Sequence, residues 1–275
     1  MRIPLAPVDR ALRWALLALC GAVLAFLVLP VLAVVPLSFN AGSFLTYPMS
    51  GFSLRWYTDF LTSPRWLPAL WNSVLIGVFS TVIATVLGTS AALGLDRMGG
   101  LPRQLLHALF LMPVVVPVVV IGSSLYALFA ALGLTASYRG LILAHSLLGA
   151  PFVVITVAAT LSGFDRRLLN AALSLGATPT QAFRRVTLPL IMPGVVSGAL
   201  FAFATSFDEI VVTLFIAGPQ QRTLPLQMFD GVREQISPTI TAAATLLFLV
   251  SVALVAVVEW LRRRSERLRG GGDSR

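Results

Sequence analysis

Lysine is absent from the 275 residues, and all 20 basic positions are arginine. The G-x-x-x-x-G-K-[ST] loop that cradles nucleotide phosphates cannot be built without its lysine, so this chain carries no such ATP-hydrolysing site. Cysteine is nearly absent. Cys20 alone excludes an intramolecular disulfide and a cysteine-based metal cluster, and its place inside a long apolar run points to packing. No nucleophile with a paired histidine, no G-x-S-x-G turn and no metal-ligand cluster occurs, which sets membrane-enzyme chemistry aside and calls for no cofactor. Charge is scarce too, at 11% of residues against 57% hydrophobic, whereas a soluble domain carries about 25% charged residues. With a mean hydropathy of +0.89, the chain belongs in a bilayer.

What charge there is sits unevenly. A net charge of +9 would suit a nucleic-acid partner, but most of the arginines flank long apolar runs, a pattern that orients a membrane protein and meets lipid headgroups. A spanning helix needs about 20 mostly apolar residues. Such runs fall near residues 14–37, 70–95, 105–130, 139–161, 191–217 and 239–261, which predicts six spans in one transmembrane domain. The first is longer than the core of a signal peptide, about 7–15 residues, and reads as an uncleaved span. Long runs without period-2 alternation predict a helical bundle rather than a barrel.

With the N-terminus inside, fifteen arginines fall on the cytoplasmic side. The outer side keeps only Arg55, Arg65, Arg139, Arg222 and Arg233, so the positive-inside rule predicts both termini to be cytoplasmic. Pro113, Pro117, Pro151 and Pro193 lie within spans and bend or interrupt their helices. Outside, Phe52, Leu54, Trp56, Tyr57, Phe60 and Leu61 suit a short amphipathic helix at the membrane surface. No internal repeat is evident, and the arginine-rich end after Arg262 reads as a tail against anionic lipid. His145 and His107 read as hydrogen-bonded packing residues, and Glu259 as an ion-pair partner of Arg262 or Arg263 one turn away.

Residues 166–194 are too polar to span and too patterned for a plain loop. A first helix over 165–175 meets Gly176, suited to the left-handed conformation that ends helices. Thr178 then provides an N-cap, Pro179 the favoured first helical position, and Gln181 completes a capping box. This predicts a second helix over 179–186, stopped by Pro189 and Pro193, and hence a compact helix–turn–helix docking surface with Phe183 available to fill a pocket.

The segment resembles the cytoplasmic signature of the permease family of ABC importers: Glu-Ala-Ala, three residues, Gly, nine residues, Ile, one residue, Leu-Pro. Here the elements are Asn170, Ala171, Ala172, Gly176, Val186, Leu188 and Pro189, with every spacing kept. Val186 replaces Ile conservatively, and Asn170 replaces the Glu, removing a charge. The resemblance implies a type I importer permease fold in which residues 177–185, among them Ala177, Thr178, Pro179, Gln181, Phe183 and Arg184, form the coupling helix against an ATP-binding subunit.

Similarity to spermidine/putrescine-type permeases covers most of the chain and is carried by SFDEIVVTLFIAGP, residues 206–219, and the TLPLQMF that follows. It implies an inner-membrane importer subunit, transporting rather than enzymatic. The implied partners are two ATP-binding subunits, a second homologous permease and a periplasmic binding protein. Other small organic solutes are alternative cargoes, and an ion-coupled secondary transporter is the rival mechanism. Asp208 and Glu209 lie within the fifth run, where carboxylates face a cavity or partner and would favour a cationic cargo. Ser206 and Glu209 equally fit the spacing of a capping box that restarts a broken helix. The outer loop at 218–238, with Arg222, Asp230, Arg233 and Glu234, offers a mixed-charge surface to the binding protein.

Overall fold

The computed structural model describes residues 7–163, 165–234 and 237–270. Among them the only strand-like feature is an isolated bridge between Asn40 and Phe52. The helices are α1 (Pro7–Leu37), α2 (Arg55–Thr62), α3 (Trp66–Arg97), α4 (Gly100–Val115), α5 (Val118–Ala131), α6 (Tyr138–Ser162), α7 (Arg166–Ser174), α8 (Pro179–Ala182), α9 (Leu188–Phe207), α10 (Val211–Ile216), α11 (Leu224–Glu234) and α12 (Pro238–Gly270). Five helical stretches are long and apolar enough to cross a membrane, or six if the bent α4 and α5 pair counts as one.

That pair departs from the expected single third span. A bend of 101° separates α4 from α5. Pro117 has no N–H to continue the helix, and the residue before a proline is pushed out of the helical region, as the extended Val116 (φ −72°, ψ 134°) demonstrates. Pro113, by contrast, is carried inside α4.

The chain divides into two compact units, Ser63–Asp230 with Phe248–Arg275, and Met1–Thr62 with Gly231–Leu247. In the first of these, α3, α6 and α9 pack against one another, and α10 packs on α5 and α6. One apolar core joins Ile76, Phe129, Leu141, Ala144, Leu148, Val212 and Ile216, and a second joins Ala84, Ala92, Val153, Val157, Leu161, Ile191 and Ala202. Small residues bring the helices close, the usual device where lipid removes the hydrophobic drive for helix pairing. A Cβ on Gly198 of α9 would stand 2.5 Å from Thr156 Oγ1 and 2.7 Å from Val153 Cα of α6. A Cβ on Gly140 would strike the Leu134 carbonyl oxygen, so only glycine lets α6 begin against the α5–α6 turn.

The ends of α3, α6 and the segment before α11 are clamped together by polar groups. Asn72 Nδ2 donates to the carbonyls of Gln220 and Arg222, both at 2.9 Å, while Tyr138 Oη donates to Asn72 Oδ1 at 2.9 Å. Leu224 N donates to Ser73 Oγ at 2.8 Å and fixes the start of α11. Large apolar side chains such as Val82, Val86 and Leu87 point outward, the arrangement a helix adopts when its solvent is hydrocarbon.

In the other unit α1 is apolar around its whole circumference, and none of its spanning window is buried. Cys20 is exposed on it, so the packing expected of this thiol is not found within the chain itself. After α1 the loop is knotted on Asn40, whose Oδ1 accepts from Gly42 N, Ser50 N and Ser50 Oγ and whose carbonyl accepts from Trp56 Nε1 at 2.7 Å. The expected amphipathic helix is α2, but Trp56 and Phe60 are buried within the unit while Phe52, Leu54 and Leu61 are exposed. The side chains of Glu259, Arg262 and Arg263, and residues 271–275 of the tail, lie outside the described residues.

Gly198→Leu is expected to lower the unfolding midpoint in detergent, because overpacking a close helix pair costs about 1–3 kcal/mol. Gly94→Leu, at a position with open space around the added Cβ, serves as the control. Equal midpoints for the two variants would remove the α6–α9 contact from the account of stability.

Candidate functional site

The segment between α6 and α9 is built from successive cap motifs. Asp165 accepts from Arg167 N at 2.9 Å and starts α7. At the other end Gly176 N donates to Leu173 O at 3.0 Å and Ala177 N to Ala172 O at 3.1 Å, the paired bonds of a Schellman ending. That ending needs a left-handed residue, and Gly176 has φ +87°. Two residues on, Thr178 Oγ1 accepts from Gln181 N at 3.3 Å while Gln181 Oε1 accepts from Thr178 N at 2.9 Å, a complete capping box with Pro179 in the first helical turn. The spacing between Ala172 and Gln181 is thus dictated by one helix ending and the next beginning.

Asn170, Ala171, Gly176, Thr178, Pro179, Gln181 and Arg184 are exposed, whereas Ala172, Ala177, Phe183, Val186 and Leu188 are half-buried. Leu175 is 89% exposed at the tip of the turn. It was not singled out in the sequence; its only signal is an apolar residue directly before the terminating glycine.

The expected stop at Pro189 and Pro193 does not occur. The helix runs without interruption over Pro179–Phe207, 29 residues and, at 1.5 Å per residue, about 43 Å. A π-helical turn at Phe183–Thr187 makes this possible. Leu188 N reaches back five residues to Phe183 O, and this widened turn directly precedes Pro189. Leu188 packs on the second apolar core, so the exposed turn and the bundle interior share one helix.

That helix ends where the carboxylates stand. Phe207 is the last residue of α9, and residues 208–210 separate it from α10, so the expected span over 191–217 is broken rather than continuous. Glu209 Oε1 accepts from Val212 N at 2.8 Å and caps α10; Asp208 is exposed and Glu209 half-buried. Ser206 does not form the other half of a capping box. Its hydroxyl lies 2.8 Å from His145 Nδ1 and 3.0 Å from Ser80 Oγ, and His145 Nε2 lies 3.0 Å from Thr213 Oγ1. His145 is therefore a buried residue with both ring nitrogens engaged.

The outer segment expected as a loop is largely α11, and Arg222 Nη1 pairs with Asp230 Oδ2 at 2.6 Å. Glu234 has no described side chain. No group of three or more metal-ligand side chains occurs among the described residues.

Residues 84–269 match the family described as the binding-protein-dependent transport system inner membrane component. The chain belongs to that family. It is 34% identical over 243 residues, 88% of this chain and 94% of the relative, to the spermidine/putrescine transport system permease protein PotC of Haemophilus influenzae. It is 37% identical over 252 residues, 89% of each, to the putrescine transport system permease protein PotI of Escherichia coli. A solved structure of a bacterial ABC transporter involved in the import of the acidic polysaccharide alginate superposes with a TM-score of 0.74 at 14% identity, covering 94% of this chain and 99% of that one. As a member of the family the chain is a transport component of the inner membrane rather than an enzyme. Family permeases of the importer class work with ATP-binding subunits and a periplasmic binding protein.

Loss of the Thr178 cap, worth about 1 kcal/mol in helices generally, should loosen the turn without unfolding the bundle. Hydrogen–deuterium exchange of Thr178→Ala is expected to rise over 170–187 and stay constant in α3 and α6. A uniform rise across the chain would show that the cap motifs hold more than their own segment.

Proposed function

We propose that the chain is one half of the translocation pathway of an ATP-driven importer for a small cationic amine of the spermidine or putrescine class. The observation that carries this reading is the single helix Pro179–Phe207, which joins an exposed docking turn to a break flanked by two carboxylates. Asn170, Ala171, Ala172, Gly176 and the residues after it present the docking turn, with Phe183, Val186, Leu188 and Pro189 leading into the membrane. The turn seats against an ATP-binding subunit, two copies of which face a pair of homologous permeases. A periplasmic protein delivers the cargo at the outer side, and both termini are cytoplasmic. ATP-driven closure moves the turn, and a stiff helix carries that motion about 43 Å to the break, switching access between the two sides.

Asp208 and Glu209 line the path on this reading. A desolvated ammonium group gains charge-assisted hydrogen bonds there, each worth about 1.5–3 kcal/mol, enough to guide a cation without trapping it. The polyamine named for both PotC and PotI relatives fits this chemistry. The fold alone would not select it, since the alginate importer shares the fold.

The first experiment reconstitutes the permease with its ATPase, permease and binding-protein partners in liposomes. Spermidine- or putrescine-loaded binding protein is expected to stimulate ATP hydrolysis. Hydrolysis unmoved by either amine discards the cargo, and a chain that recruits no ATPase discards the mechanism. In the same system Asp208→Asn should raise the KM for the amine about tenfold, the loss of about 1.4 kcal/mol. Glu209→Gln keeps an acceptor for Val212 N and should separate charge from capping, whereas Glu209→Ala loses both.

A further inference from the structure

The break after α9 is bridged from the side by a third helix. Ser206 lies in the last turn of α9, Thr213 in α10, and His145 in the first half of α6, 1% exposed, holds one with each ring nitrogen at 2.8 and 3.0 Å. One assignment of the protons satisfies every contact. The Glu209 carbonyl can only accept, and Thr213 Oγ1 donates to it at 3.2 Å. Thr213 has one proton, so its oxygen receives the N–H of His145 Nε2. Nδ1 is then the acceptor and takes the Ser206 hydroxyl proton. Ser206 Oγ is in turn 3.0 Å from Ser80 Oγ, whose proton is shared with the Ile76 carbonyl 2.5 Å away. In that assignment the donors run from α9 through the imidazole to the backbone of Glu209.

We propose that His145 is a positioning residue: its imidazole staples the two halves of the broken helix and thereby sets where the Asp208 and Glu209 carboxylates stand. The proposal rests on the reading of those carboxylates as lining the cation path. It follows from what else holds the break. Residues 208–210 lie outside both helices, although Asp208 N still reaches Ala204 O at 3.1 Å and Ile210 O accepts from Leu214 N at 2.8 Å. The side chains that bridge them are Glu209 at its cap, Thr213 on the Glu209 carbonyl, and His145. His145 ties both sides of the break to α6, beside the packing of Val212 and Ile216 in the first apolar core and the contact of Ser206 with Ser80 of α3. With both nitrogens engaged, the ring has no atom free for cargo.

The test uses the reconstituted importer, with transport measured per folded transporter and binding-protein-stimulated ATP hydrolysis read in parallel. His145→Ala is expected to raise the KM for spermidine five- to tenfold while stimulated ATP hydrolysis changes less than twofold. Thr213→Val and Ser206→Ala each remove one arm and should raise KM two- to fivefold, Thr213→Val losing its bond to the Glu209 carbonyl as well, and adding Ser206→Ala to His145→Ala should change nothing further. His145→Gln returns an N–H to Thr213 but no acceptor to Ser206 and should fall between wild type and His145→Ala.

An unchanged KM with only a lower yield of folded protein overturns the staple and leaves His145 as packing, as does an additive double variant. If His145→Ala fails to fold, the two single-arm variants decide the matter on the same readout. Asp208→Asn and Glu209→Gln run alongside separate the two readings. If these raise KM and the staple variants do not, only the positioning role falls. If they leave KM unchanged, the carboxylate path falls and the positioning role with it.

Discussion

A backbone N–H or C=O left unpaired in hydrocarbon costs several kcal/mol, so every interruption of a membrane helix must bring its own partners. The architecture is organised around that requirement. At Pro117 the proline has no donor to satisfy, and Val116 N still reaches Met112 O at 2.9 Å, so the 101° bend leaves few orphans. After α9 no proline is present to remove a donor. There the chain uses side chains: a carboxylate on Val212 N, a threonine hydroxyl on the Glu209 carbonyl, and an imidazole between the Ser206 and Thr213 hydroxyls.

The same requirement explains why the polar residues face inward. Ser80, Ser146, Ser206, Thr213 and His145 are buried between helices whose outer faces are apolar, and small residues such as Gly149 and Gly198 let the backbones approach closely enough for short side chains to meet. Close approach and side-chain hydrogen bonding reinforce each other here. A larger residue at position 198 would lift α9 from α6 and lengthen the contact between Ser206 and His145, so packing near the middle of the bundle sets the geometry at the break.

Much of this was legible in the sequence, and what was not has a physical reason. Gly176, Thr178 and Gln181 announce their caps because cap chemistry is local, fixed by a few neighbouring backbone groups, whereas Asp165, read as part of the first helix, is its cap. The interrupted third span was signalled by Pro117, though not its angle, which depends on what α5 packs against. The helix across Pro189 was not legible, because a proline stops a regular helix and only the widened turn at Phe183–Thr187 accommodates it. The role of His145 was hidden for a different reason. Its partners Ser206 and Thr213 lie 61 and 68 residues away, and no periodicity within one helix encodes a contact between three.

The two carboxylates are unequal in a way that bears on the proposed cargo. Glu209 has one oxygen committed to an amide at the start of α10, where the helix dipole also favours a negative charge. Removing its charge while keeping an acceptor therefore leaves the local fold with most of what it needs. The Asp208 side chain makes no such hydrogen bond among the described residues and is the more exposed of the pair. A charge that the fold does not require, kept at a break in a membrane helix, carries its desolvation cost without a stabilising return from its neighbours. On the proposed reading that return comes from the cargo, when an ammonium group gives up water and meets the carboxylate during passage. Asp208 is then the recognition charge, and Glu209, held by its cap, is the fixed point against which it is set.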